Sequence, residues 1–221
     1  MGFGIKAEVW GDYALFSRPE LKVERVSYDV ITPSAARGLI EAVYWHPGLK
    51  WHIDRIHVCQ PIRFANIRRN EVKSKISARN VREVMEGGRK PLYISTADDI
   101  QQRAAMVLRD VRYVIEAHFD MTDKAAPGDN PGKCKDIVRR RLEKGQCYHQ
   151  PCFGCREFPA HFRLFEGETA PVAEELQGKE RDLGLMLYDM DYSNPRDIQP
   201  LFFRAVLRNG VLEVAGQEVL R

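Results

Sequence analysis

Thr32-Pro33-Ser34-Ala35-Ala36-Arg37-Gly38-Leu39-Ile40-Glu41-Ala42-Val43-Tyr44-Trp45-His46-Pro47-Gly48 is the stretch on which the fold turns. Thr32 can accept from the free N–H groups of a first helical turn, and Pro33 stands where a missing N–H costs nothing, so a helix starts here. Pro47 and Gly48 end it. Ala36, Leu39, Ile40 and Val43 recur at i, i+3, i+4 and i+7 as one buried stripe, with Arg37, Glu41 and Tyr44 outside it. Beyond the helix, Trp51 to Phe64 alternates like a strand. Asn66-Ile67-Arg68-Arg69-Asn70-Glu71-Val72-Lys73-Ser74-Lys75 then places four cations in the eight residues from Arg68. An apolar helix that feeds a strand and then a basic arm is a scaffold for presenting charge to a polyanion.

Outward from this stretch, Gly4 to Trp10 alternates Ile5, Ala7 and Val9 with Lys6, Glu8 and Trp10, a first strand with one buried face. Tyr13 to Tyr28 has no clean period, and Arg18, Lys22 and Arg25 mark it as a substrate-facing loop. Ile67 to Ile94, with Gly87-Gly88 as its turn, is too charged for a core element and reads as a β-hairpin arm inserted between two strands. Met106 to Met121 is the clearest strand: Val107, Val111, Tyr113, Ile115, Ala117 and Phe119 lie on one side, and Asp110, Arg112, Glu116, His118 and Asp120 on the other. Asn130-Pro131 opens a second helix that Gly145 closes, and a strand returns from Phe158. The order strand, helix, strand, arm, strand, helix, strand is βαββαβ, an α+β ferredoxin-like (RRM-like) plan, with both helices on one face of an antiparallel sheet and the other face free for RNA. Residues 1–166 form this domain, the arm occupying about 67–94. The acidic segment 167–182 reads as a linker, and 183–221 as a small separate β-sheet domain whose last two strands turn at Asn209-Gly210.

With 221 residues and 44% hydrophobic content the chain can bury one good core. No run approaches the roughly 20 apolar residues of a membrane span. The N-terminal residues carry no apolar export region, and Lys6 stands where a myristoylation signal needs Ser or Thr, so a cytoplasmic protein is expected. Five cysteines, an odd number, fit reduced thiols. Cys134, Cys147, Cys152 and Cys155 with His149 suggest zinc superficially, but the spacing is irregular and ordinary thiols are the expectation; neither metal nor cofactor is expected. The net charge of +3 divides unevenly: Arg55 to Lys90 carries +7, leaving −4 for the rest. Such segregation fits a nucleic-acid face opposite a solvent or protein face, and solvated surfaces without a partner fit it equally. No P-loop, dinucleotide fingerprint, nucleophile elbow or H-E-x-x-H is present.

Thr-Pro-Ser-Ala-Ala-Arg-Gly, then Tyr44-Trp45, Pro61-Ile62-Arg63-Phe64, Arg69-Asn70-Glu71-Val72-Lys73 and Gly154-Cys155-Arg156-Glu157-Phe158, in this order, resemble the CRISPR-associated Cas-five family, subtype d, of type I-C systems. The resemblance covers nearly the whole chain. It implies a ferredoxin-like endoribonuclease of the RAMP superfamily that processes CRISPR repeat RNA and remains a subunit of an RNA-guided antiviral surveillance complex. Its partners would then be repeat RNA and crRNA, the backbone and large subunits, and DNA. Metal-independent RNA cleavage uses the 2′-hydroxyl as nucleophile and needs a base, an acid and a cation for the phosphorane charge. The family's catalytic set is a Tyr at the end of the first helix with adjacent Lys and His at a strand end. Tyr44 and His118 match; the Lys position is Ala117, and Arg112, Lys124, Lys50 and His46 are the candidate replacements. From the residues alone, the plainer readings are a surface histidine for His118 and an aromatic packed on the sheet for Tyr44. In the expected geometry both side chains approach one edge of the sheet. Arg37, Arg68, Arg69, Lys73, Lys75 and Arg79 are the expected RNA-binding set, and the C-terminal sheet is expected to serve assembly more than catalysis. The alternative is a non-catalytic subunit that binds the 5′ tag of an already processed crRNA.

Overall fold

The computed structural model describes residues 3–21 and 23–221, Phe3 by its backbone alone. The elements are β1 (Phe3–Ala14), β2 (Arg25–Val26), α1 (Pro33–Val43), β3 (Leu49–Val58), β4 (Phe64–Val72), α2 (Ala78–Met85), β5 (Ile100–Met121), α3 (Pro131–Lys144), β6 (His161–Leu164), β7 (Glu180–Asp191), β8 (Gln199–Arg208) and β9 (Val211–Glu213). This is an α+β protein with a mostly antiparallel sheet. Among the described residues the nine strands form one sheet in the order β6-β1-β5-β3-β9-β8-β7, with β2 and β4 also paired to β5.

Strand β5 is the spine. Its second half lies between β1 and β3, while its first half leaves both and pairs with β4 and, in parallel, with β2. On the side where β3 gives way to β4, the change falls between Tyr113 and Leu108, around Asp110, whose φ is +53°. Asp tolerates this left-handed conformation better than β-branched residues do.

Both long helices cover one face. Thr32 Oγ1 caps α1 by accepting from Ala35 N at 3.2 Å, and Ala36, Leu39, Ile40 and Val43 are buried. Asn130 caps α3, Gly145 closes it in the left-handed region, and Cys134, Val138 and Leu142 are buried. Helix α1 packs on β3 and β7, and α3 on β1 and β6. Beneath them lie Ala7, Val9, Trp51, Ile56, Ile115, Ala117 and Phe119. Truncating a fully buried side chain such as Ile115 to Ala costs about 2–5 kcal/mol.

Several expectations are corrected. The strand expected over Trp51–Phe64 is two: β3 stops at Val58, and β4 starts a new pairing at Phe64. The arm is a ribbon of β4 and the first half of β5, and its tip holds the unforeseen helix α2, which Ser77 Oγ caps. Among its described residues the segment after Tyr13 offers no unpaired cation: Arg18 pairs with Asp29 and Arg25 with Glu71. Lys22 lies outside the described residues. The C-terminal strands are not a separate sheet, because β9, turned back from β8 by Asn209-Gly210 (φ +50° and +70°), pairs with β3.

Candidate functional site

The alternation that buries Ile5, Ala7 and Val9 sends Lys6, Glu8 and Trp10 to the helix-free face, and the register brings Arg112, Glu116, His118, Arg163 and His161 beside them. Much of this face is tiled with ion pairs. Glu8 is buried between Arg112 and Arg163; burial alone would raise its pKa, but donation from the two guanidinium groups holds it below the usual carboxylate value. His57 Nε2 lies 2.9 Å from Glu116, and Arg55 Nε lies 2.9 Å from Glu213.

At one end of this face two histidines stand together. His52 and His118 are register partners on β3 and β5, their rings 5.1 Å apart and 16° from parallel. His118 Nδ1 lies 2.8 and 3.0 Å from the two carboxylate oxygens of Asp54. A register shift between Ile53 and Arg55 turns Asp54 and Arg55 both away from the core, a bulge that aims Asp54 at His118. The Asp54 carbonyl accepts from Val214 and Ala215 N–H, so the two residues that follow β9 fix the bulge. Reciprocally, His52 Nε2 lies 3.2 Å from Asp120 Oδ2, without hydrogen-bond alignment and shielded from solvent. Desolvation lowers the His52 pKa, and the Asp120 charge opposes this only in part. His52-Ile53-Asp54 and His118-Phe119-Asp120 are thus two His-x-Asp triplets that pair crosswise. Sequence reasoning missed His52, Asp54 and Asp120; the repeated triplet on two expected strands was the available signal.

Tyr44 is elsewhere. It caps the C-terminal end of α1 with extended backbone, is 6% exposed, and donates its hydroxyl to Cys134 Sγ at 3.9 Å, with the Arg141 guanidinium 5.2 Å from its ring. Burial first, then the Cys134 contact, pushes its pKa up to about 12. These partners belong to α3, so Tyr44 lies on the helix face and His118 on the open one; the two do not meet at one edge. Ala117, 1% exposed, also faces the helices, so a lysine there would not point to the His118 face. Of the candidate cations, Arg112 is bound to Glu8 and His46 Nε2 lies 3.5 Å from Asp129, whereas Lys50 is exposed and has no ion pair among the described residues.

The basic set also divides. Arg37 donates from Nη1 to both carboxylate oxygens of Glu41 and, through Nε and Nη2, bidentately to Asp189, at 2.8–3.0 Å; burial would lower its pKa, but these carboxylates raise it, and it ties α1 to β7. It is not free to take phosphate. Arg69 pairs with Glu157 at 3.0 Å. Arg68, Lys73, Lys75 and Arg79 are exposed and have no ion pair among the described residues. The five cysteines are free thiols, and among the described residues no group of three or more His, Cys, Asp or Glu side chains is placed to hold a metal ion.

A helix-backed, mostly antiparallel sheet thus carries a carboxylate-held histidine on its open face, and the ribbon that extends from it presents Arg68, Lys73, Lys75 and Arg79 without ion pairs among the described residues. The family model described as CRISPR-associated protein (Cas_Cas5), in its Cas5d form, matches residues 4–215. The chain belongs to this family. It is 53% identical over 215 residues to the CRISPR pre-crRNA endoribonuclease Cas5d of Mannheimia succiniciproducens, covering 95% of this chain and 94% of the relative. It is 40% identical to the protein of the same name from Thermus thermophilus, covering 97% and 92%. Among solved structures, a CRISPR-associated protein superposes with TM-score 0.70 at 22% identity over 99% and 96% of the two chains. A chain of a CRISPR RNA-guided surveillance complex does so with TM-score 0.50 at 12% identity over 98% and 89%.

Proposed function

We propose that this protein is a pre-crRNA endoribonuclease that cuts CRISPR repeat RNA without a metal ion and stays bound as a subunit of the type I-C surveillance complex. Strands β1, β3, β5 and β6 with α1 and α3 act as a ferredoxin-like βαββαβ unit whose open face receives the RNA. The observation that carries the reading is the His118–Asp54 contact at 2.8 Å beside the stacked His52. In-line attack puts the entering and leaving oxygens on opposite sides of phosphorus, so two proton-transfer groups serve better than one. His52, kept neutral by desolvation, accepts the 2′-hydroxyl proton at Nδ1 while Asp120 faces its Nε2. The 2′-oxygen bonds to phosphorus and the bond from phosphorus to the 5′-oxygen breaks. His118, oriented through Nδ1 by Asp54, gives its Nε2 proton to that oxygen. The products are a 2′,3′-cyclic phosphate and a 5′-hydroxyl.

Lys50 supplies the cation for the extra phosphorane charge, in place of the lysine absent at Ala117. Tyr44 serves as a positioning residue, since its carbonyl accepts from Trp51 Nε1 at 3.3 Å, one residue before His52. Arg68, Lys73, Lys75 and Arg79 bind phosphates along the arm, with Arg69 joining when it leaves Glu157. The backbone and large subunits of the complex, and the DNA it engages, are the further partners. Single-turnover cleavage of repeat RNA in EDTA by His118→Ala, His52→Ala and Tyr44→Phe tests the assignment. The two histidine variants should lose about 100- to 10,000-fold each, and Tyr44→Phe should stay within about fivefold. Loss of cleavage in Tyr44→Phe with an intact fold would return the tyrosine to the reaction. Full activity in both histidine variants would leave the 5′-tag-binding subunit as the reading.

A further inference from the structure

A cleft of about 560 Å³ opens where α1 and β3 meet the end of β7, and His52 is part of its wall. We infer that one nucleotide of the RNA next to the scissile bond docks here, a subsite that the C-terminal strands contribute to the reaction. The inference rests on reading His52 and His118 as the reacting pair. The volume lies within the ~300–1,000 Å³ typical of small-ligand sites. Its chemistry suits a nucleotide: Leu201 and Val214 give an apolar floor, and Tyr188 and Tyr192 give aromatic surface. Tyr188 is held edge-on to Phe203 at 5.8 Å, a rigid backing, while Tyr192 is 61% exposed and free to stack.

The acids in the wall do not repel RNA as their number suggests. Arg37 bonds both Glu41 and Asp189, and Arg221 lies 3.0 Å from Asp191. Lys50 is the cation of the cleft without an ion pair among the described residues, and it is two residues from His52 on the same strand face. A base against Tyr192 and a phosphate on Lys50 would therefore bring the adjoining phosphodiester to His52, whose ring stacks on that of His118.

The test uses the wild-type protein, Tyr192→Ala and Lys50→Ala with repeat RNA carrying a 2′-deoxy nucleotide at the cleavage position, which removes the nucleophile, and 2-aminopurine at each flanking position in turn. Wild-type protein should quench the fluorophore at one flanking position. Tyr192→Ala should abolish that quenching and raise KM on uncut all-ribose RNA roughly 5- to 100-fold with kcat within about threefold, as loss of one base stack does. Lys50→Ala should keep the quenching and lower kcat. Unchanged quenching and KM in Tyr192→Ala overturns the subsite. So does normal binding and cutting by Tyr192→Ala with failed assembly, which would make the cleft a protein-docking surface. Failure of the functional reading shows separately, as full cleavage by His118→Ala, while the quenching still reports whether the cleft is filled.

Discussion

Replacing Asp54 by Asn keeps the shape of the bulge and removes only the charge facing His118. The carboxylate approaches Nδ1 through both oxygens, at 2.8 and 3.0 Å, so the contact is a charge-assisted hydrogen bond. Such bonds are worth about 1.5–3 kcal/mol. The two side chains are 32% and 31% exposed, and solvent screening puts the loss in the lower half of that range. A loss of about 1.5–2 kcal/mol from the transition state is a roughly 12- to 30-fold fall in kcat, since 1.36 kcal/mol is tenfold. RNA affinity should hold, because the charge faces the histidine. The fold should hold as well, because Val214 and Ala215 N–H grip the Asp54 carbonyl and not its side chain. Single-turnover cleavage under saturating protein, with binding from filter retention and thermal melting as the fold control, gives each quantity. A kcat within twofold of wild type, or a loss that appears wholly in affinity, would refute the assignment of Asp54 as the group that orients His118.

Desolvation lowers the His52 pKa below its ordinary 6.5, so this base stays unprotonated further into acid. The acid limb of log kcat against pH should therefore fall below 6.5; a limb at or above 6.5 contradicts the assignment. Ala117→Lys should not speed cleavage, because it drives an ammonium under the helices, and a melt should show destabilisation of about 3–5 kcal/mol. Lys73→Ala with Lys75→Ala should flatten the slope of log K against log salt by about 1.4 for single-stranded RNA. Arg37→Ala should leave that slope unchanged and lower the melting temperature instead, because Arg37 joins α1 to β7.

What the sequence made legible was local. Thr32, Pro33 and the Ala36–Val43 stripe define α1 without reference to any other segment, and the alternation from Val111 to Phe119 places His118 opposite Ala117. The direction of Tyr44 was hidden, because it is set by the extended cap that turns the ring into α3, 90 residues away along the chain at Cys134. Asp54 was hidden for a different reason: a bulge exists only against a partner strand, and the register of β3 on β5 is a property of the pair. The Arg37 charge looked available until Asp189, 152 residues distant, was found beside it. Helix α2 was legible in principle, since Ser77 precedes Val81, Val84 and Met85 at helical spacing. The density of cations drew the reading toward a hairpin instead.

The most direct test of the whole account is the His118→Ala variant with repeat RNA in EDTA, read for both rate and product ends. Wild-type protein should cut in EDTA and leave a 2′,3′-cyclic phosphate, while His118→Ala should be slowed at least about 100-fold with RNA affinity within a few-fold. Cleavage by His118→Ala at the wild-type rate, or wild-type activity that vanishes in EDTA, would contradict it.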